Sequence, residues 1–105
     1  MRLLILLFFL LCLNPTFSQD CELPKGKTKR ICNNALRFIK KAKYFKAQQL
    51  LREIKNTEEI AEVYRLKAIT FWQLGNTLKA DEFAFNCIAI CPDKDPLIYY
   101  LLGEI

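Results

Sequence analysis

The chain has no histidine, and that absence removes several chemistries at once. A cysteine nucleophile ordinarily works with a histidine base, and haem attachment through C-x-x-C-H needs the imidazole. A zinc site would then fall to cysteines alone. Four-cysteine sites usually bring two close pairs such as C-x2-C, whereas ten residues separate Cys21 from Cys32 and three separate Cys87 from Cys91. Serine occurs only at Ser18, and the chain has three glycines, none in a phosphate-cradling run. The longest apolar run, Leu3 to Leu13, is eleven residues, against about 20 for a membrane span. Acids are missing where bases concentrate: Lys25 to Lys46 holds nine Lys or Arg and no Asp or Glu. Together these gaps argue against an enzyme and leave no catalytic residue, metal site or cofactor to expect.

The apolar run has another use. Arg2 gives it a positive start, Asn14 and Pro15 break it, and Thr16-Phe17-Ser18 offers small residues at the two positions a signal peptidase reads. Residues 1–18 therefore read as a secretory signal peptide cleaved after Ser18 or Gln19, with no further membrane involvement. The protein is expected outside the cytoplasm: secreted, or in the periplasm or cell envelope. Cleavage leaves about 87 residues, enough for one small domain. Residues 19–27 read as an N-terminal loop punctuated by Pro24 and Gly26.

From Thr28 onward the apolar spacing is helical. Ile31, Ala35, Phe38 and Ala42 fall on one face, and a turn at Lys43-Tyr44-Phe45 precedes a second stripe of Ala47, Leu50, Leu51 and Ile54. Asn56-Thr57 closes that helix and caps the next, with Glu58 and Glu59 in its first turn. A third helix runs from about Glu58 to Leu74, with Ala61, Tyr64, Ala68 and Phe71 aligned and Trp72 offset. Gly75-Asn76 ends it, Thr77 caps a fourth helix carrying Ala80, Phe83, Ala84 and Cys87, and Cys91-Pro92 closes that. Asp95 to Ile105 opens another helix, with Pro96 in its first turn.

The 34-residue stretch Ala61 to Lys94 reads Tyr64-x2-Lys67-Ala68-x2-Phe71, then Ala80-x3-Ala84, Cys87 and Pro92. Aromatic, small and aromatic in one helix, two small residues in the next, then proline: this pattern resembles the tetratricopeptide repeat. Residues 28–60 are a weaker copy, offset by 33 residues from Ala47 to Ala80 and without the closing proline. Residues 95–105 resemble the start of a third unit, Tyr99-x2-Leu102-Gly103 standing near the repeat's W-x2-L-G opening. The fold class expected is all-α, a short right-handed α-solenoid of antiparallel helix-turn-helix units over 28–105. The open third unit further implies the N-terminal part of a larger exported or envelope protein.

The resemblance also implies a function. Such repeats hold a peptide or protein surface in a groove lined by the first helix of each unit. Here that lining would be Lys29, Cys32, Leu36, Ile39 and Lys40 from one unit, and Glu62, Arg65, Ile69, Trp72 and Gln73 from the next. Trp72 is the strongest anchor candidate, because large rigid aromatics dominate interfaces. Family members that clamp a terminal carboxylate use Lys and Asn at positions that are Cys32, Leu36 and Ile69 here, so that specialisation is not expected. The alternative reading is a small basic secreted protein that meets an anionic surface, glycan or lipid headgroups, through Lys25 to Lys46. The signal peptide argues against nucleic acid. Four cysteines survive cleavage, and an even number in a secreted chain points to disulfides. Cys21–Cys32 would staple the loop to the first helix. Cys87 and Cys91, at i and i+4, lie within disulfide reach, while Cys87 equally suits a buried helix-packing thiol.

Overall fold

The computed structural model describes residues 22–55 and 60–103. These form five helices: α1 (Gly26–Lys40), α2 (Tyr44–Leu51), α3 (Ala61–Gln73), α4 (Thr77–Ile90) and α5 (Pro96–Leu101). No strand occurs among the described residues, so the chain is all-α there. The signal peptide expected at 1–18 and the cap expected at Asn56-Thr57 lie outside the described residues.

Several helix ends have a local reason, although α1, α2 and α3 begin without a side-chain cap. The first begins at Gly26, two residues earlier than expected. It buries Thr28, Ile31, Cys32 and Ala35 on one side and leaves its basic residues on the other. Arg37 and Lys40 stand in its last turn, where cations complement the helix dipole. The α1–α2 turn is Lys41–Lys43, slightly before the predicted Lys43–Phe45. There the Lys43 N–H donates to the Phe38 carbonyl at 2.8 Å and the Ala42 N–H to Ile39 at 3.0 Å. This is a Schellman closure, with Ala42 left-handed at φ 59°. The α3–α4 turn repeats it: the Asn76 N–H reaches Phe71 at 2.9 Å, the Gly75 N–H reaches Trp72 at 3.1 Å, and Gly75 has φ 84°. Asn76, not Thr77, caps α4, its Oδ1 accepting from the Lys79 N–H at 3.2 Å. The side-chain amide reaches that donor from the position before the first helical residue. Asp95 caps α5 through the Leu97 N–H at 3.0 Å, ahead of Pro96.

The core has two compartments that share α3. One gathers Ile31, Cys32 and Ala35 from α1, Ala47 and Leu51 from α2, Ile54 just beyond it, and Val63 and Leu66 from α3. The other gathers Ala61 and Ala68 from α3, Ala84 and Cys87 from α4, Cys91, and Ile98 and Leu101 from α5. The expected α3 stripe of Ala61, Tyr64, Ala68 and Phe71 is thus only half of the burial. Val63, Leu66 and Thr70 face the first compartment, fully buried. Thr70 is accommodated because its hydroxyl donates to the Leu66 carbonyl at 2.6 Å. Phe83 of α4 stacks between Tyr64 and Phe71, with ring centroids 6.0 and 5.5 Å away. Lys67 lies 5.2 Å above the Phe83 ring. Ala68 and Ala84, with no exposed surface, let α3 and α4 approach closely.

Candidate functional site

Lys29, Leu36 and Lys40 lie along one flank of α1, beside the buried Cys32. Glu62, Arg65, Ile69, Trp72 and Gln73 lie along one face of α3, at spacings of three and four residues. The structure joins part of the two sets. Lys29, Cys32, Leu36 and Glu62 line one cavity of about 280 Å³, together with Asn33 and with Leu23 and Pro24 of the N-terminal loop. Lys40, Arg65, Ile69, Trp72 and Gln73 do not line it. Lys29, Lys40, Trp72 and Gln73 are exposed; Leu36, Ile39 and Ile69 are half-buried against the core.

Glu62 and Arg65 are engaged with protein partners. Arg65 grips Glu62 through Nη2 at 2.6 Å and Nε at 3.3 Å, and reaches Asp95 through Nη1 at 3.2 Å. Lys94 closes the other side, its Nζ 2.7 Å from Glu62 Oε2. Burial alone would raise the Glu62 pKa, but the hydrogen bonds from Arg65 and Lys94 and their charges hold it below the ordinary 4.5. These four residues tie α3 to the start of α5, and of them Glu62 lines the cavity. Sequence spacing places Glu62 and Arg65 on one face of α3. The partners Lys94 and Asp95 lie about thirty residues away in the α4–α5 link, and no local pattern announces them.

The cysteines correct two expected pairings. Cys32 and Cys87 are free, buried thiols, so neither Cys21–Cys32 nor Cys87–Cys91 forms. Cys21 itself lies outside the described residues. Cys87 packs into the second compartment, whereas Cys91 has left the helix in an extended conformation at φ −143°. The Cys91 N–H still donates to the Cys87 carbonyl at 2.9 Å and both residues pack in the second compartment, yet the Cys87 thiol is free. Cys91 is disulfide-bonded, with its partner outside the described residues. Burial pushes the Cys32 thiol up to about 11, helped by the Glu62 charge and opposed by Arg65 and Lys94. Burial likewise pushes Cys87 up to about 11, against the Arg65 and Lys94 charges. Such thiols are protonated at neutral pH and unreactive. No group of three or more His, Cys, Asp or Glu that could hold a metal occurs among the described residues.

The basic stretch remains open to solvent. Lys25, Lys27, Lys29, Arg30, Arg37, Lys40, Lys41, Lys43 and Lys46 are all exposed. Among the described residues, no helix is long and apolar enough to cross a membrane. Comparison of the chain with protein-family models, with curated proteins and with solved structures returned no match.

Proposed function

We propose that the chain is an exported interaction module of tetratricopeptide type, holding a peptide or protein segment against the first helices of its units. It acts by binding and not by chemistry. The observation that carries this reading is the meeting of Lys29, Cys32, Leu36 and Glu62 around one cavity of about 280 Å³. Further support comes from the packing: α3 touches α1, α2, α4 and α5, so successive pairs lie side by side and the first helices of neighbouring pairs are in contact. The matching Schellman closures at Ala42 and Gly75 support a repeated unit. An extended peptide would lie along Leu36 and Ile69, with Trp72 as an edge anchor and Lys29 and Lys40 offering charge.

The test is selection of a random peptide library on residues 19–105, followed by chemical-shift mapping of a selected peptide. The reading expects shifts at Leu36, Ile69 and Trp72, and at least tenfold weaker binding by Leu36→Asp and by Trp72→Ala. Peptides that map elsewhere, or that bind Leu36→Asp undiminished, would reject the groove. One observation favours a second reading, attachment to an anionic surface: all nine cations of Lys25 to Lys46 are exposed, with no acid among them.

A further inference from the structure

Both helical hairpins turn at the same end of the molecule. Leu74, at the close of α3, lines a shallow depression of about 480 Å³ with Ala42, Lys43, Tyr44, Phe45 and Lys46 of the α1–α2 turn. The apolar side chains gathered at these turns are not covered. Leu78 in the first turn of α4 is 82% exposed, Phe45 61%, and Leu74 and Trp72 each 41%. Single exposed apolar residues need no explanation, but several large ones on adjoining turns do. Around them the first turn supplies Lys41, Lys43 and Lys46, all exposed. The nearest acids on the second turn, Asp81 and Glu82, stand further along α4, and Glu82 is 3.6 Å from Lys79.

We infer that this end is a membrane-docking tip, in which Phe45, Leu74 and Leu78 enter the headgroup region of an anionic bilayer while Lys41, Lys43 and Lys46 meet lipid phosphates. The inference rests on the second reading above and narrows it to one surface and one ligand class. Charge and geometry favour lipid over a protein partner. Apolar groups ringed by cations match an interface whose interior is apolar and whose rim is anionic. Lysine stems also extend past apolar neighbours to keep their ammonium groups in the polar layer. Attachment through such a tip would be peripheral.

The chain carries its own reporter, because Trp72 is its sole tryptophan and lies two residues before Leu74. The measurement is partition of residues 19–105, with the apolar leader removed, onto vesicles of phosphatidylcholine with about a third phosphatidylglycerol. Circular dichroism establishes that each variant is folded. The tip predicts a blue shift of Trp72 emission and quenching by brominated lipid. Leu78→Ser should weaken partition roughly tenfold, as expected for one leucine withdrawn from an apolar phase. Joint replacement of Lys41, Lys43 and Lys46 by Gln should weaken it by roughly a hundredfold, at about fivefold per cation. Leu97→Ser, an exposed apolar residue of α5 away from the tip, should leave partition unchanged. Partition that survives both Leu78→Ser and Phe45→Ser but vanishes in moderate salt would overturn the tip and leave the general anionic reading standing. Absence of vesicle binding with retention on heparin would do the same, in favour of a glycan. Failure on both supports would reject the two together. Concentration-dependent self-association abolished by Leu78→Ser would also overturn the tip, as a contact between copies.

Discussion

Ala42 and Gly75 do the same work with different residues. Each follows the last turn of a first helix, each has a left-handed backbone, and they stand 33 positions apart, the same offset as Ala47 and Ala80. The conformation suits glycine and costs a residue with a Cβ about 1–2 kcal/mol. Glycine returns part of that advantage through its greater unfolded-state entropy, about 0.5–1 kcal/mol. Ala42→Gly should therefore stabilise the fold by about 0.5–1 kcal/mol. Gly75→Ala should destabilise it by a similar amount, from the backbone alone, since a Cβ there would meet nothing within 4 Å. Urea midpoints check both signs; a loss of stability in Ala42→Gly would contradict the account. The cysteines give a second prediction at this scale. Cys32 and Cys87 are free and Cys91 is bonded; if residues 1–18 are removed as a signal peptide, Cys12 goes with them and Cys21 is the one cysteine left. Non-reducing peptide mapping of the mature protein should find Cys21 joined to Cys91. Cys32 and Cys87 should resist alkylation at pH 7 until the protein is denatured, because burial holds both near 11. A bridge through Cys32 or Cys87 would refute this assignment.

At the level of the helix, the sequence was most readable where burial is one-sided. The Ile31–Ala35–Phe38 spacing of α1 announces a helix with a basic outer face, and the helix runs over Gly26–Lys40. Helix α3 was only half legible. It is covered on two sides, so its apolar residues do not form a single stripe, and Val63 and Leu66 sit outside the face that Ala61, Tyr64 and Ala68 suggest. Ala68 was readable for its size. It is fully buried where α3 crosses α4, and the stacked rings of Tyr64, Phe83 and Phe71 fix the spacing beside it. Ala68→Leu should force the helices apart and cost about 1–3 kcal/mol. The same change at exposed Gln73 should stay within about 0.5 kcal/mol. Equal effects at the two positions would mean that α3 and α4 are not closely packed there.

For the whole molecule, the question is what joins α5 to the rest. Its apolar share is small, Ile98 and Leu101 in the second compartment, and the Tyr99 hydroxyl adds a hydrogen bond to the Pro92 carbonyl at 3.0 Å. The longer-range tie is ionic: Glu62 and Arg65 on α3 against Lys94 and Asp95 before α5. Periodicity could place Glu62 and Arg65 on one helix face but could not show that Lys94 and Asp95, about thirty residues on, fold back to meet them. Because the folded pKa of Glu62 lies below its ordinary 4.5, its contribution is fully present above about 4.5 and is lost as pH falls through the lower folded value. Stability should therefore decline on acidification in that window, and Glu62→Gln should flatten the decline. At neutral pH the substitution should cost about 1–3 kcal/mol, since it removes the anion from Arg65 and Lys94. The loss should appear first in α5, as faster hydrogen exchange of its amides while α1 and α2 stay protected. If Glu62→Gln keeps the parent's acid slope and its α5 protection, the four-residue network does not hold the last helix, and packing of Ile98 and Leu101 alone must do so.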